Sequence, residues 1–136
     1  MKSRIDIALL TGAALWCAVI VAAPLFSIRP IYAFFSLICH QAPERSWFLL
    51  GEPLPVCIRC SAIYFGFLIA LVAKREPNAV WLKLAIAVTL AEVALEWLGA
   101  ESVVARSVTG LALGATAAPF VRVGITEMFG VRHNAL

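Results

Sequence analysis

Charge is what this sequence has least of. Only 14% of its 136 residues are Asp, Glu, Lys or Arg, and 62% are hydrophobic, against about a quarter charged and half apolar in ordinary soluble domains. That balance argues against a soluble fold. There is no glycine-rich phosphate loop, so nothing points to ATP or another nucleotide. The basic residues flank apolar runs instead of forming a patch, which leaves no nucleic-acid surface. Ser61, not histidine, follows Cys60, and this excludes haem attached through thioethers. Internal repeats and low-complexity tracts are also missing. At this length the chain reads as one transmembrane domain, residues 1–136.

What the sequence has instead is apolar length. A spanning helix needs about 20 mostly apolar residues, because hydrocarbon cannot satisfy a bare backbone amide. Four segments qualify, at about 7–28, 56–73, 79–99 and 103–121. The expected fold is therefore all-α, an integral membrane four-helix bundle. The first segment has a basic start, but its apolar run is too long for a signal peptide and Pro24 follows Ala22 and Ala23 at once.

The distribution of Lys and Arg sets the orientation. With the N-terminus in the cytoplasm, that side collects Lys2, Arg4, Lys74, Arg75, Lys83, Arg122 and Arg132, against Arg29, Arg45, Arg59 and Arg106 outside. Both termini are then cytoplasmic, in a multi-pass protein of the plasma membrane, and the connection of about 29–55 faces outward. Its first part, "PIYAFFSLI", is apolar but too short to span, and is expected to lie in the interface or re-enter the bundle. The rest, "QAPERSWFLLGEPLPV", is rich in Pro and Gly and fits an ordered extracytoplasmic loop.

The outward side holds the chemistry. Cys57-Ile58-Arg59-Cys60 offers two thiolates from a single turn, and Cys39 and His40 lie upstream at a finger-like distance. Cysteine and histidine are the standard ligands of tetrahedral zinc, so Cys39, His40, Cys57 and Cys60 form a candidate metal set, with either or both of the adjacent pair as ligand. The same residues permit thiol-disulfide chemistry coupled to a quinone, with Cys57 and Cys60 as the reactive pair and Cys39 resolving, since disulfides persist outside the cytoplasm. A structural disulfide is a third reading. Cys17, mid-span, reads as a small buried apolar residue.

Ionisable groups within spans are costly and pair or line polar cavities. Glu92 and Glu96 share a helix face, and the short turn at Ala100-Glu101 brings Glu96 and Arg106 to one depth beside the cysteines. Either they tie two helices together, or Glu96 acts as a base and Arg106 holds an anion. In that second case Arg45, Arg59 and Gln41 are candidate ligand-binding residues for an anionic lipid headgroup. Glu92, deeper, is expected as a protonated, hydrogen-bonded carboxyl. Gly110 and Gly114 make a small-residue face for close helix contact, within the bundle or in a dimer. Trp47, Tyr64, Trp81 and Trp97 are expected as interfacial anchors, and His133 as a surface residue.

The run "CHQAPERSW" followed by "PVCIRCSAIYFG" resembles a family of small bacterial and archaeal membrane proteins known as a domain of unknown function. The matching positions are Cys39, His40, Gln41, Pro43, Arg45, Ser46, Cys57, Arg59, Cys60, Tyr64 and Gly66, with Arg106, Thr109 and Gly110 resembling a later element. Trp47 stands in place of Phe and Ala62 in place of Gly. The resemblance implies a shared site and leaves its chemistry open. Three function classes follow: a zinc-site protein acting on an anionic lipid, a thiol:quinone oxidoreductase, and a non-catalytic subunit of a larger membrane complex or homodimer. Membrane lipids are expected partners of all three.

Overall fold

The computed structural model describes residues 2–134, with backbone alone for 2–3 and 130–134. The expected surface position of His133 lies outside the described side chains, as do the side chains of Lys2 and Arg132. The elements in order are α1 (Lys2–Leu25), α2 (Arg29–Phe35), a 3-10 turn (Pro43–Arg45), strands β1 (Phe48–Leu49) and β2 (Glu52–Pro53), then α3 (Ile58–Val72), α4 (Ala79–Trp97) and α5 (Val103–Asn134). The chain is mostly helical, but the expectation of an all-α fold misses the small hairpin. Its strands pair antiparallel with Phe48 opposite Pro53 and Leu49 opposite Glu52. Leu50 and Gly51 turn it at φ +53° and +88°, the double left-handed conformation of a two-residue hairpin turn.

Local chemistry sets the helix ends. Ser27, at φ +50°, closes α1, and Pro30 opens α2 in a position where no N–H is missed. The Asn78 side chain caps α4 by accepting the Val80 and Trp81 amides at 3.0 and 3.3 Å. Gly99, at φ +91°, stops the same helix. There the Ala100 amide donates to the Leu95 carbonyl at 3.0 Å and the Gly99 amide to that of Glu96 at 3.0 Å, a Schellman ending. Ser102 then caps α5 through the Ala105 amide at 3.2 Å. Only residues 98–102 separate the two helices, which holds Glu96 and Arg106 at one level.

Among the described residues, two helices are long and apolar enough to cross a membrane, over Arg4–Leu25 and Val103–Phe129. Four were expected. The difference lies in α3, which has 15 residues, and in α4, whose 19 residues include Lys83, Glu92 and Glu96. Beyond the expected end at Val121, α5 continues because Pro119 does not break it. In that extension Arg122 pairs with Asp6 of α1 through Nε–Oδ1 at 2.7 Å and Nη2–Oδ2 at 3.0 Å. Apolar side chains are exposed along α4, among them Val80, Leu84, Val88, Leu90 and Leu95, a surface of the kind that meets a membrane or a partner.

At the centre, α3 and α5 touch backbone to backbone. A Cβ placed on Gly114 would lie 2.0 Å from the Ile63 carbonyl oxygen, one on Gly66 would lie 2.3 Å from that of Leu111, and one on Gly110 would meet Arg59 and Ala62 at 2.8 Å. The small-residue face thus works inside the fold, with Ala62 part of the contact. Beneath the loop, Ile20, Phe35, Leu54 and Val56 form a core against which Trp16, Trp47 and Tyr64 pack. Trp47 stacks on Phe65 and Tyr64 meets Trp16 edge-on. Trp47 and Tyr64 are half-buried against this core, whereas Trp81 and Trp97 are exposed.

This packing has a direct consequence for substitution. Gly114→Ala is expected to destabilise the purified protein by about 1–3 kcal/mol through overpacking. Gly12→Ala, where a Cβ meets nothing within 4 Å, is expected to be neutral or slightly stabilising. Thermal unfolding in detergent measures both, and equal effects would show that the α3–α5 contact is not tight.

Candidate functional site

Three thiols converge where the loop meets α3. Cys39 follows α2, with its amide bonded to the Phe35 carbonyl at 2.9 Å. Cys57 is the N-cap residue of α3, and Cys60 lies in that helix's first turn. The three sulfurs all lie within 4.8 Å of one another, and each residue is half-buried and free of disulfide. The Cys57 amide donates to the Cys39 sulfur at 3.1 Å, across 18 positions of sequence. A zinc ion with 2.3 Å bonds and tetrahedral angles sets sulfurs about 3.8 Å apart, so this grouping can close on such an ion with small side-chain adjustments. Burial pushes the Cys39 thiol above its ordinary value, and a bound cation would reverse that preference.

The loop is fastened around the thiols. Gln41 Nε2 donates to the carbonyls of Tyr32 at 2.6 Å and Pro55 at 2.8 Å, while the Tyr32 hydroxyl donates to the Pro53 carbonyl at 2.7 Å. Gln41 thereby ties α2 to the segment entering α3, and both of its amide hydrogens are committed. His40 is exposed and outside the three-sulfur group. Cys39, at the bend that ends the turn after α2, is the one of the two whose side chain joins the group. Cys17 donates to the Tyr64 carbonyl at 3.6 Å and likewise stays outside the group.

Beside the thiols lies an ion network. Arg59 Nη2 donates to Glu92 Oε2 and, at 2.8 Å, to Glu96 Oε2. Arg106 Nη2 reaches Glu96 Oε1 at 2.6 Å and Glu101 Oε1 at 3.3 Å. Arg45, from the loop, bonds Glu96 Oε1 at 3.1 Å and Glu101 Oε1 at 2.8 Å. Three cations thus meet three anions, across the loop, α3, α4 and α5. The Glu96 and Arg106 side chains are 8% and 5% exposed, so the pair is desolvated, whereas Arg45 and Glu101 are about half exposed. Arg59 Nε is buried with no partner.

The structure brings together Glu96, Arg106, Arg45 and Arg59, all singled out from sequence, and adds two residues that sequence reasoning missed in this role. Glu92 is paired with Arg59 instead of standing alone as a hydrogen-bonded acid, and Glu101 bridges Arg45 and Arg106. The signal for Glu92 was present, because Arg59 sits in an apolar helix and Glu92 shares a face with Glu96. Removing one partner of a buried pair leaves an uncompensated charge. Glu96→Ala is therefore expected to cost about 3–5 kcal/mol and Arg45→Ala, on the exposed rim, about 1 kcal/mol or less, by unfolding of the purified protein. A milder effect at Glu96 than at Arg45 would contradict the network.

Comparison with known proteins relates the chain to a protein family. Residues 39–120 match the family described as "Predicted membrane protein (DUF2085)", a stretch that begins at Cys39 and takes in the three thiols and the six network charges. An uncharacterized protein of Methanocaldococcus jannaschii is 50% identical over 42 residues, 31% of this chain and 27% of that protein. An uncharacterized protein of Methanothermobacter thermautotrophicus is 50% identical over 32 residues, 24% of this chain and 29% of its own length. The match therefore spans less than a third of either relative. No solved structure matches. On the strength of a match that covers more than half of its length, the chain belongs to the DUF2085 family of predicted membrane proteins.

Proposed function

We propose that this chain is a multi-pass membrane protein holding a zinc-type ion at its extracytoplasmic end, through the thiolates of Cys39, Cys57 and Cys60. One observation carries the reading: three sulfurs from two separate segments gather within 4.8 Å of one another. Thiolates select soft or borderline cations such as zinc over magnesium or calcium. Three protein ligands leave a fourth position to water, to an added ligand or to His40 after a side-chain rotation. The apolar outer surface of α4 and the pairing of Glu92 and Glu96 with arginines support membrane crossing by α4 as well. Neutralised carboxylates cost far less in hydrocarbon than free ones.

In this reading the ion fastens the loop to α3, and Glu96 and Arg106 serve the architecture. A hydrolytic role would require Glu96, which accepts bonds from Arg45, Arg59 and Arg106, to give them up in order to take a proton. A lipid phosphate would have to displace carboxylates from the same arginines. The thiol:quinone alternative uses Cys57 and Cys60, whose sulfurs lie within the same 4.8 Å.

Metal analysis combined with thiol alkylation separates these readings. Full-length protein purified under reducing conditions is expected to hold one zinc per chain, with its three outer thiols shielded from alkylation until a chelator is added. Cys57→Ser or Cys60→Ser is expected to abolish stoichiometric metal. Loss of metal in His40→Ala assigns that side chain as the fourth ligand, and retention assigns an exogenous one. Three reduced thiols with no metal would end the metal reading, and a Cys57–Cys60 disulfide that responds to quinone would replace it with the redox one.

A further inference from the structure

Away from the thiols, α1 leans against α3 and α5 without filling the space between them. The cavity left there measures about 710 Å³ and is lined by apolar side chains, including Leu9, Trp16, Ile63 and Phe67, with the open backbone of Gly12 between them and Arg4 at one end. We propose that this groove binds one anionic phospholipid, its acyl chain lying along α1 and its phosphate on Arg4.

Three features select that occupant. The first is charge: the Arg4 guanidinium has no carboxylate partner among the described residues, whereas nearby Arg122 is engaged by Asp6. A guanidinium offers paired donors that suit a phosphate, and basic positions at the membrane ends of helices recognise anionic headgroups. Length is the second. The stretch of α1 from Arg4 to Trp16 rises about 18 Å, close to the roughly 15 Å that is half of a bilayer's hydrocarbon core, so the groove accepts a chain from one leaflet. Shape is the third, because a Cβ on Gly12 would meet nothing within 4 Å and a chain can lie directly against the helix backbone there.

Native mass spectrometry of the detergent-solubilised full chain, titrated with phosphatidylglycerol or phosphatidylcholine, tests this. Wild type is expected to retain a single phosphatidylglycerol and to bind phosphatidylcholine about fivefold more weakly, the effect of one cation near a headgroup. Arg4→Gln, a surface change, is expected to bring phosphatidylglycerol down to the phosphatidylcholine level. Gly12→Leu is expected to fill the groove and remove both adducts while zinc content stays unchanged. Equal binding of the two lipids to wild type would overturn the proposal, as would a phosphatidylglycerol adduct of undiminished strength in Gly12→Leu. A dimer that competes with the adduct would assign the groove to a second copy and overturn it as well.

Discussion

Arg59 stands between two cysteines in the first turn of an apolar helix, and its charge must be answered wherever that helix sits. The answer comes from Glu92 and Glu96, one turn apart on α4. Those two carboxylates exceed the charge of one arginine, and Arg106 on α5 restores the balance from the other side. Arg45 and Glu101 extend the set to the surface and carry the loop with them. Fixing one charge thus fixes the relative depth of three helices and the seat of the loop. The thiols inherit that order, because Cys57 and Cys60 flank Arg59 in the chain.

Ion pairing alone would not place the helices so closely. Gly66, Gly110 and Gly114 let α3 and α5 approach until backbone meets backbone, with Gly110 set against Arg59 itself. A methyl group at any of the three would push apart the helices that deliver Arg59 and Arg106 to the same carboxylates. Buried ion pairs are a weak source of net stability, because desolvation offsets much of their attraction. Their contribution here is positional, and the dispersion contacts of the close helix pair hold them in register.

Much of this was legible in the sequence where punctuation is strong. The apolar run at about 79–99 matches α4 closely, the Arg29-Pro30 pair stands at the start of α2, and the gathering of Cys39, Cys57, Cys60, Glu96 and Arg106 at one end follows from the order of apolar runs. The hairpin was not legible, because two-residue strands have no periodicity and Leu50 takes a left-handed conformation that its side chain does not announce. Nor could the sequence choose between Cys39 and His40. The loop that Gln41 ties to Tyr32 and Pro55 carries the Cys39 sulfur to those of Cys57 and Cys60 and leaves His40 exposed, an arrangement set by contacts across the loop. The pairing of Glu92 with Arg59 was legible only in part: the arginine in an apolar helix and the face Glu92 shares with Glu96 point toward it, while partners between helices depend on a register set by glycines elsewhere.

The central claim is that the sulfurs of Cys39, Cys57 and Cys60 act as a single ligand set. X-ray absorption at the zinc edge of the purified, zinc-loaded full chain addresses it directly. The account predicts three sulfur neighbours at about 2.3 Å and one nitrogen or oxygen at about 2.0–2.1 Å. A zinc shell made only of nitrogen and oxygen, with no sulfur, would contradict it.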